Sequence, residues 1–156
     1  MKICLACTPS GHLGDMLQLM EAFEGNEIFF LTWENPMSIP LKHKKYLLKN
    51  PLKQPLFRLL WLSIWGLIVI PFILFILLKE KPQVVVSTGA GEIVVPTFYI
   101  ARLLGIKTIY IESWSCVTSP SIGGRLVYPV SNVFLVQWEE ILKYYGKKAR
   151  YEGAII

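Results

Sequence analysis

Residues Leu59 to Leu78 read LLWLSIWGLIVIPFILFILL, twenty positions without a charge, fifteen of them Leu, Ile, Val or Phe. As a helix rising ~1.5 Å per residue, this segment is ~30 Å long, the thickness of a bilayer's hydrocarbon core. A helix apolar all round needs either protein on every side or lipid. Its surroundings favour lipid. No acidic residue occurs from Met37 to Lys79, and Lys42, Lys44, Lys45, Lys49, Lys53 and Arg58 supply six positive charges within seventeen residues. Such a run suits anionic headgroups, at ~1 kcal/mol per charge near the surface. Trp61 and Trp65 sit near one end as interfacial aromatics do, and Lys79 and Lys81 close the other. The segment begins too far into the chain to be a signal peptide.

The remaining composition narrows the fold class. The chain has 156 residues, a net charge of +5, 53% hydrophobic and 17% charged residues, and a mean hydropathy of +0.46. That excludes disorder and a coiled coil and suits one α/β domain over residues 1–156. Outside the basic run, Lys and Arg nearly balance Asp and Glu, so the charge is a local patch. No nucleic-acid motif accompanies it, and no nucleic-acid partner is expected. Three Cys argue against a disulfide scaffold. Two His and a single Asp, Asp15, leave little for a metal site, and none is expected.

Strand-like and helix-like runs alternate along the chain. KICLAC is a strand, followed by a loop at Thr8–His12 and a helical pattern through Leu13, Met16, Leu17, Leu19, Met20 and Phe23. EIFFLT is a second strand. A proline-rich stretch over 33–57 holds at most a short strand at Tyr46–Leu48. The apolar helix follows, with Pro71 predicting a kink or break. QVVVS reads as a strand buried on both faces, then a tight loop and a helix over Glu92–Leu104. KTIYI and NVFLV are further strands, Trp138–Tyr145 a short helix, and Arg150–Glu152 a last strand. The alternation predicts an open, mostly parallel, Rossmann-like α/β sheet. Ligands in such sheets sit beyond the carboxyl ends of the strands, which here singles out residues 8–14, 87–92 and 112–119.

Two of those segments are rich in small residues at helix starts. Ser10, Gly11 and Gly14 around His12, and Ser87, Thr88, Gly89, Ala90 and Gly91, let a ligand approach free N–H groups at the positive end of a helix dipole. Together they suit a diphosphate held between loops; the alternative is two tight strand-to-helix turns. His12 is a candidate general base or phosphate donor, or else a helix-capping or exposed side chain. Glu112 is a candidate base or hydroxyl acceptor, or else a loop carboxylate bonded to nearby N–H groups. Asp15 and Glu92 fall early in helices, where they compensate the dipole. Cys4 and Cys7, three apart on a strand, point to opposite faces and read as small core residues.

The stretches SGHLGDMLQL, VVVSTGAGEIVVP, IKTIYIESWS, GRLVYPVSNVFLVQWEE and YEGAII together resemble the acceptor-side, membrane-anchoring subunit of two-component GT-B glycosyltransferases. One branch serves the enzyme that adds the second N-acetylglucosamine to dolichol-pyrophosphate-GlcNAc. The other serves capsule and exopolysaccharide synthesis in bacteria and archaea. The resemblance covers the chain apart from residues 33–82. It implies the N-terminal half of a GT-B enzyme that binds a polyprenyl-(di)phosphate-linked acceptor. A small separate subunit would bind the nucleotide-sugar, so no cofactor is expected on this chain. In the resemblance Glu112 falls at a strand-end acidic position, and Tyr151 to Ile156 at the partner contact. The eukaryotic branch is expected to carry its anchor at the N-terminus; here the internal segment takes that place.

Strands before and after residues 59–78 must pair in one sheet, which a full crossing forbids. The expectation is therefore a monotopic protein on the cytoplasmic face of the membrane, the plasma membrane in a prokaryote. This chain alone is expected to be inactive and its complex to be an inverting transferase. The rival readings are a non-catalytic scaffold for a self-sufficient partner and a single-pass membrane protein.

Overall fold

The computed structural model describes residues 1–49, 58–89 and 91–155, with the backbone alone for 58–68. Seven strands form one sheet: β1 (Lys2–Ala6), β2 (Glu27–Trp33), β3 (Lys44–Leu48), β4 (Val84–Ser87), β5 (Lys107–Ile111), β6 (Val133–Val136) and β7 (Ala149–Tyr151). Their order is β3-β2-β1-β4-β5-β6-β7, and every pairing is parallel. Four helices cross over between strands: α1 (Gly11–Gln18), α2 (Arg58–Glu80), α3 (Gly91–Leu103) and α4 (Ile122–Val127). This is the Rossmann-like arrangement expected from the alternating runs. The short α4, Ile-Gly-Gly-Arg-Leu-Val, has no counterpart in the sequence reading. Two glycines and one turn of helix are too little for periodicity to register.

Burial follows the pleat. Along β1, Cys4 and Ala6 enter the core shared with α2 and α3, while Ile3, Leu5 and Cys7 pack against α1 with Leu13 and Met16. The two thiols thus lie on opposite faces, as the offset of three requires. Both are buried, and burial pushes the Cys7 thiol up to about 12, so neither is a nucleophile at neutral pH.

Helix α2 occupies the crossover between β3 and β4 and runs through Pro71; of the kink or break expected there, the break is absent. Proline removes one backbone donor and crowds the preceding turn, but the helix continues on both sides. From Val69 onward, Val69, Ile73, Ile76 and Leu77 are buried against the sheet at helical spacing. Ile70, Phe72, Leu74, Phe75 and Leu78 are exposed. Among the described residues no helix is long and apolar enough to cross a membrane. The strands on either side of α2 lie in the same sheet, separated by β2 and β1.

The carboxyl end of α2 is anchored by a buried carboxylate. Glu80 lies 2.7 Å from Lys44 Nζ and 3.1 Å from Lys2 Nζ, and also accepts from the Tyr46 hydroxyl. These three donors join the helix to β1 and β3. The Lys44 ammonium, then the Tyr46 hydroxyl, hold the Glu80 carboxyl down to about 2 against its ordinary 4.5. A depressed folded value means stability that is complete above pH 4.5 and is lost as the pH falls toward 2. Glu80→Gln is expected to lower Tm at pH 7 by roughly 3–6 °C. Melting curves of the two proteins should converge as the pH is lowered through that window.

Candidate active site

Strand order reverses between β1 and β4, and a crevice opens beyond their carboxyl ends. The loop after β1 leads into α1 with Ser10 extended at the N-cap (φ −150°) and its side chain not engaged in capping. The Ser10 carbonyl accepts from Leu13 and Gly14 N–H at 3.0 and 3.3 Å. The first-turn N–H groups of Gly11 and His12 have no intrahelical acceptor. A Cβ at Gly11 or Gly14 would meet nothing within 4 Å, so these glycines face open space.

His12 joins this loop to the one after β4. Its Nδ1–H donates to the Thr88 carbonyl at 3.1 Å, and Thr88 Oγ1 returns a bond to the His12 carbonyl at 2.6 Å. A carbonyl can only accept, so Nδ1 carries the proton of the neutral ring and Nε2 keeps the lone pair. The ring lies on Gly89, which has φ +123°. A Cβ there would fall 2.7 Å from His12 Nδ1 and 2.8 Å from Cε1. Glycine is required at this position twice, by the backbone and by the imidazole. His12 is therefore neither a cap nor a freely exposed side chain.

The other loop residues divide. Ser87 and Thr88 are fully buried, and Ser87 Oγ accepts the Gly89 N–H at 3.2 Å. Their hydroxyls shape the turn from within. Gly91 opens α3, and Ala90 lies outside the described residues. Beside the loops, Thr8, Pro9, Trp33, Glu34, Asn35, Gly91 and Glu92 line a cavity of about 320 Å³. Sequence reading missed Trp33–Asn35, although polar residues directly after an apolar strand were the available signal. Glu92 stands in the first turn of α3, as expected for dipole compensation. Asp15 does not: it is the fifth residue of α1, beyond the first turn, and is only 6% exposed.

Glu112, at the end of β5, is 1% exposed. Oε1 accepts from Ser121 Oγ at 2.7 Å, Ser113 N–H at 3.2 Å and Tyr110 OH at 3.4 Å. Oε2 accepts from Ser121 N–H at 3.3 Å and from the Tyr145 hydroxyl. Burial pushes both phenols up, so they remain protonated donors. Its donors are the nearby N–H groups of a loop carboxylate with hydroxyls added. Gln137 extends the network, donating to the Glu112 carbonyl at 2.9 Å and accepting from Ile155 N–H at 2.8 Å. It thereby ties down the C-terminal segment. Among the described residues, no three His, Cys, Asp or Glu side chains are grouped as metal ligands.

Of the basic run, Lys42 and Lys49 are exposed. Lys44 is paired with Glu80, and Lys45 Nζ donates to the carbonyls of Ile39 and Leu41. Lys53 and the side chains of Arg58, Trp61 and Trp65 lie outside the described residues.

A parallel Rossmann-like sheet with two small-residue loops at its switch point is the architecture of the N-terminal half of a GT-B enzyme. Acinetobacter baumannii MurG superposes with a TM-score of 0.77 at 15% identity, over 99% of this chain and 45% of that one. UDP-GlcNAc 2-epimerase from Methanocaldococcus jannaschii, in complex with UDP-GlcNAc and UDP, gives 0.71 at 15% identity, over 99% and 47%. Within that class the chain belongs to the family described as "Oligosaccharide biosynthesis protein Alg14 like", whose model matches residues 50–155. A UDP-N-acetylglucosamine transferase subunit, ALG14, of Candida albicans is 40% identical over 86 residues, 51% of this chain and 38% of its own length. The Schizosaccharomyces pombe subunit of the same name is 29% identical over 169 residues, 93% of this chain and 79% of its own. That of Saccharomyces cerevisiae is 23% identical over 184 residues, 100% of this chain and 77% of its own.

Gly89→Ala is expected to cost about 1–3 kcal/mol of stability and to displace the His12 ring. Denaturant unfolding, together with the His12 imidazole NMR signal, checks both.

Proposed function

We propose that this chain is the acceptor-binding, membrane-recruiting subunit of a two-subunit inverting glycosyltransferase. The complex would move a sugar from a nucleotide-sugar to a polyprenyl-(di)phosphate-linked glycan at the cytoplasmic face of the membrane. The observation that carries this reading is His12 bridging two small-residue loops at the switch point, its Nε2 lone pair uncommitted to the Thr88 bond. Family membership supports it, and the names of the yeast relatives support UDP-N-acetylglucosamine as donor.

The acceptor's phosphates would lie against the N–H groups of Gly11 and His12, where the α1 dipole favours negative charge. The adjoining cavity, lined by Glu34, Asn35 and Glu92, would take the sugar through hydroxyl hydrogen bonds. Nε2 of His12 would remove the proton of the attacking hydroxyl as its oxygen bonds to the anomeric carbon. The bond from that carbon to the donor phosphate breaks, and the nucleoside diphosphate leaves carrying the electron pair. A small partner subunit supplies the donor half, and the C-terminal segment held by Gln137 is the expected contact. Glu112, enclosed by its own donors, holds the wall and exchanges no proton with substrate.

The membrane contact in this reading is the exposed side of α2, through Ile70, Phe72, Leu74, Phe75 and Leu78. Lys42, Lys49, Lys79 and Lys81 would lie at the headgroups. Both flanks of α2 stay on one side of the bilayer because their strands share a sheet.

The test is purification of the tagged chain with its donor-binding partner, followed by transfer to a polyprenyl-diphosphate acceptor. His12→Ala should leave the complex intact and reduce kcat by ~10²–10⁴-fold. A loss of only a few-fold would favour the scaffold reading. In flotation with anionic vesicles, Phe75→Glu/Leu78→Glu should weaken binding while preserving the fold. Unchanged flotation would place the membrane contact elsewhere.

A further inference from the structure

Asp15 is the one buried carboxylate near the crevice that the proposed chemistry leaves unused. Its Oδ2 is buried and has no hydrogen-bond partner among the described residues. Buried polar atoms are nearly always paired, so an orphan of this kind calls for a reason. Dipole compensation is not that reason, because the residue lies past the first turn of α1. Its place on the helix is three residues after His12, a spacing that puts two Cβ atoms ~5–6 Å apart on one face.

We propose that Asp15 is the electrostatic partner of His12, stabilising through space the imidazolium formed when Nε2 takes the acceptor's hydroxyl proton. This rests on the reading of His12 as the base. The carboxylate does not orient the ring, since Nδ1–H is already committed to the Thr88 carbonyl. It supplies charge. Burial raises the Asp15 carboxyl, and the His12 charge lowers it; among the described residues no other titratable group acts on it. In the proposal, the same through-space attraction favours the imidazolium over the neutral ring during the transfer. In water the same pair would be worth little; within a shielded helix face the attraction is several times larger. The proton passes from the acceptor hydroxyl to Nε2 and then to solvent, and Asp15 takes no part in the transfer.

The chain has two histidines, so His43→Gln leaves a single imidazole to follow by NMR. In that background Asp15→Asn is expected to lower the His12 titration midpoint by roughly one unit. In the complete complex it should cut kcat roughly tenfold or more, with KM for both substrates nearly unchanged. The acidic limb of the pH–rate profile should move down in step with His12. Asp15→Glu should restore part of both effects. A His12 midpoint unmoved by Asp15→Asn overturns the proposal. Should that variant not fold, the reciprocal measurement decides: the Asp15 carboxyl signal should titrate at higher pH in His12→Gln, and an unchanged midpoint overturns the coupling. If the midpoints move but His12→Ala keeps near-full activity, the pair is real and the assignment of His12 as base is what fails.

Discussion

The contact between the His12 ring and the bare backbone of Gly89 is the constraint around which the crevice is built. Parallel β1 and β4 deliver two loops to the same edge of the sheet, but adjacency alone does not fix their spacing. The imidazole fills the gap, with Nδ1–H on the Thr88 carbonyl and its face against a glycine in a conformation that other residues resist. The return bond from Thr88 Oγ1 to the His12 carbonyl closes a reciprocal pair. One side chain therefore does three things: it sets the loop separation, selects its own tautomer, and leaves one nitrogen uncommitted to that pair. A loop that moved would lose all three together; Ser87 and Thr88, beneath the turn, are fully buried.

Helix α2 shows how an apolar segment can serve two surfaces. A soluble crossover helix needs one apolar stripe, and Val69, Ile73, Ile76 and Leu77 provide it. The remaining exposed Ile, Phe and Leu residues exceed what the fold itself needs. Exposing that much apolar surface in water is unfavourable at ~25 cal/mol per Å², which is why the proposal assigns this face to the membrane. On the proposed membrane contact, something must keep the helix on the sheet when its outer face is drawn away. Glu80, held by Lys2, Lys44 and Tyr46 from two strands, is an anchor suited to that load. It takes Lys44 from the basic run in doing so, so not every lysine in that run is free for headgroups.

Much of the fold was legible in the sequence because parallel strands buried on both faces are continuous apolar runs, and VVVS, KTIYI and VFLV cannot easily be anything else. Helix α4 was not, because a six-residue helix with two glycines carries no period. The two loops were legible as small residues after strands, but their joining by His12 was not. That contact depends on which strands are neighbours, and β1 and β4 are almost eighty residues apart. Of the kink or break that Pro71 predicts, the break does not occur: the helix continues through it and packs along the sheet. The cavity wall at Trp33–Asn35 was overlooked for a different reason. Its signal is three residues at the junction of an apolar strand and a proline-rich stretch, where composition alone does not mark a cavity wall.

Glu112 illustrates why a carboxylate at a strand end need not be a reacting group. Its carboxyl group is buried without any cation among its hydrogen-bonding partners, a costly placement unless hydrogen bonds replace the lost water. Two phenols, a serine hydroxyl and two backbone N–H groups do so, and they come from β5, from the loop before α4 and from the segment after β6. Each donor fixes one piece of the wall relative to the others. Taking up a substrate proton would neutralise the acceptor on which all of them depend and would loosen those pieces together. Nδ1 of His12, by contrast, keeps its single bond whether or not Nε2 is protonated. A base must be able to change charge without unmaking its own support, and in the proposed mechanism that condition favours His12 over Glu112.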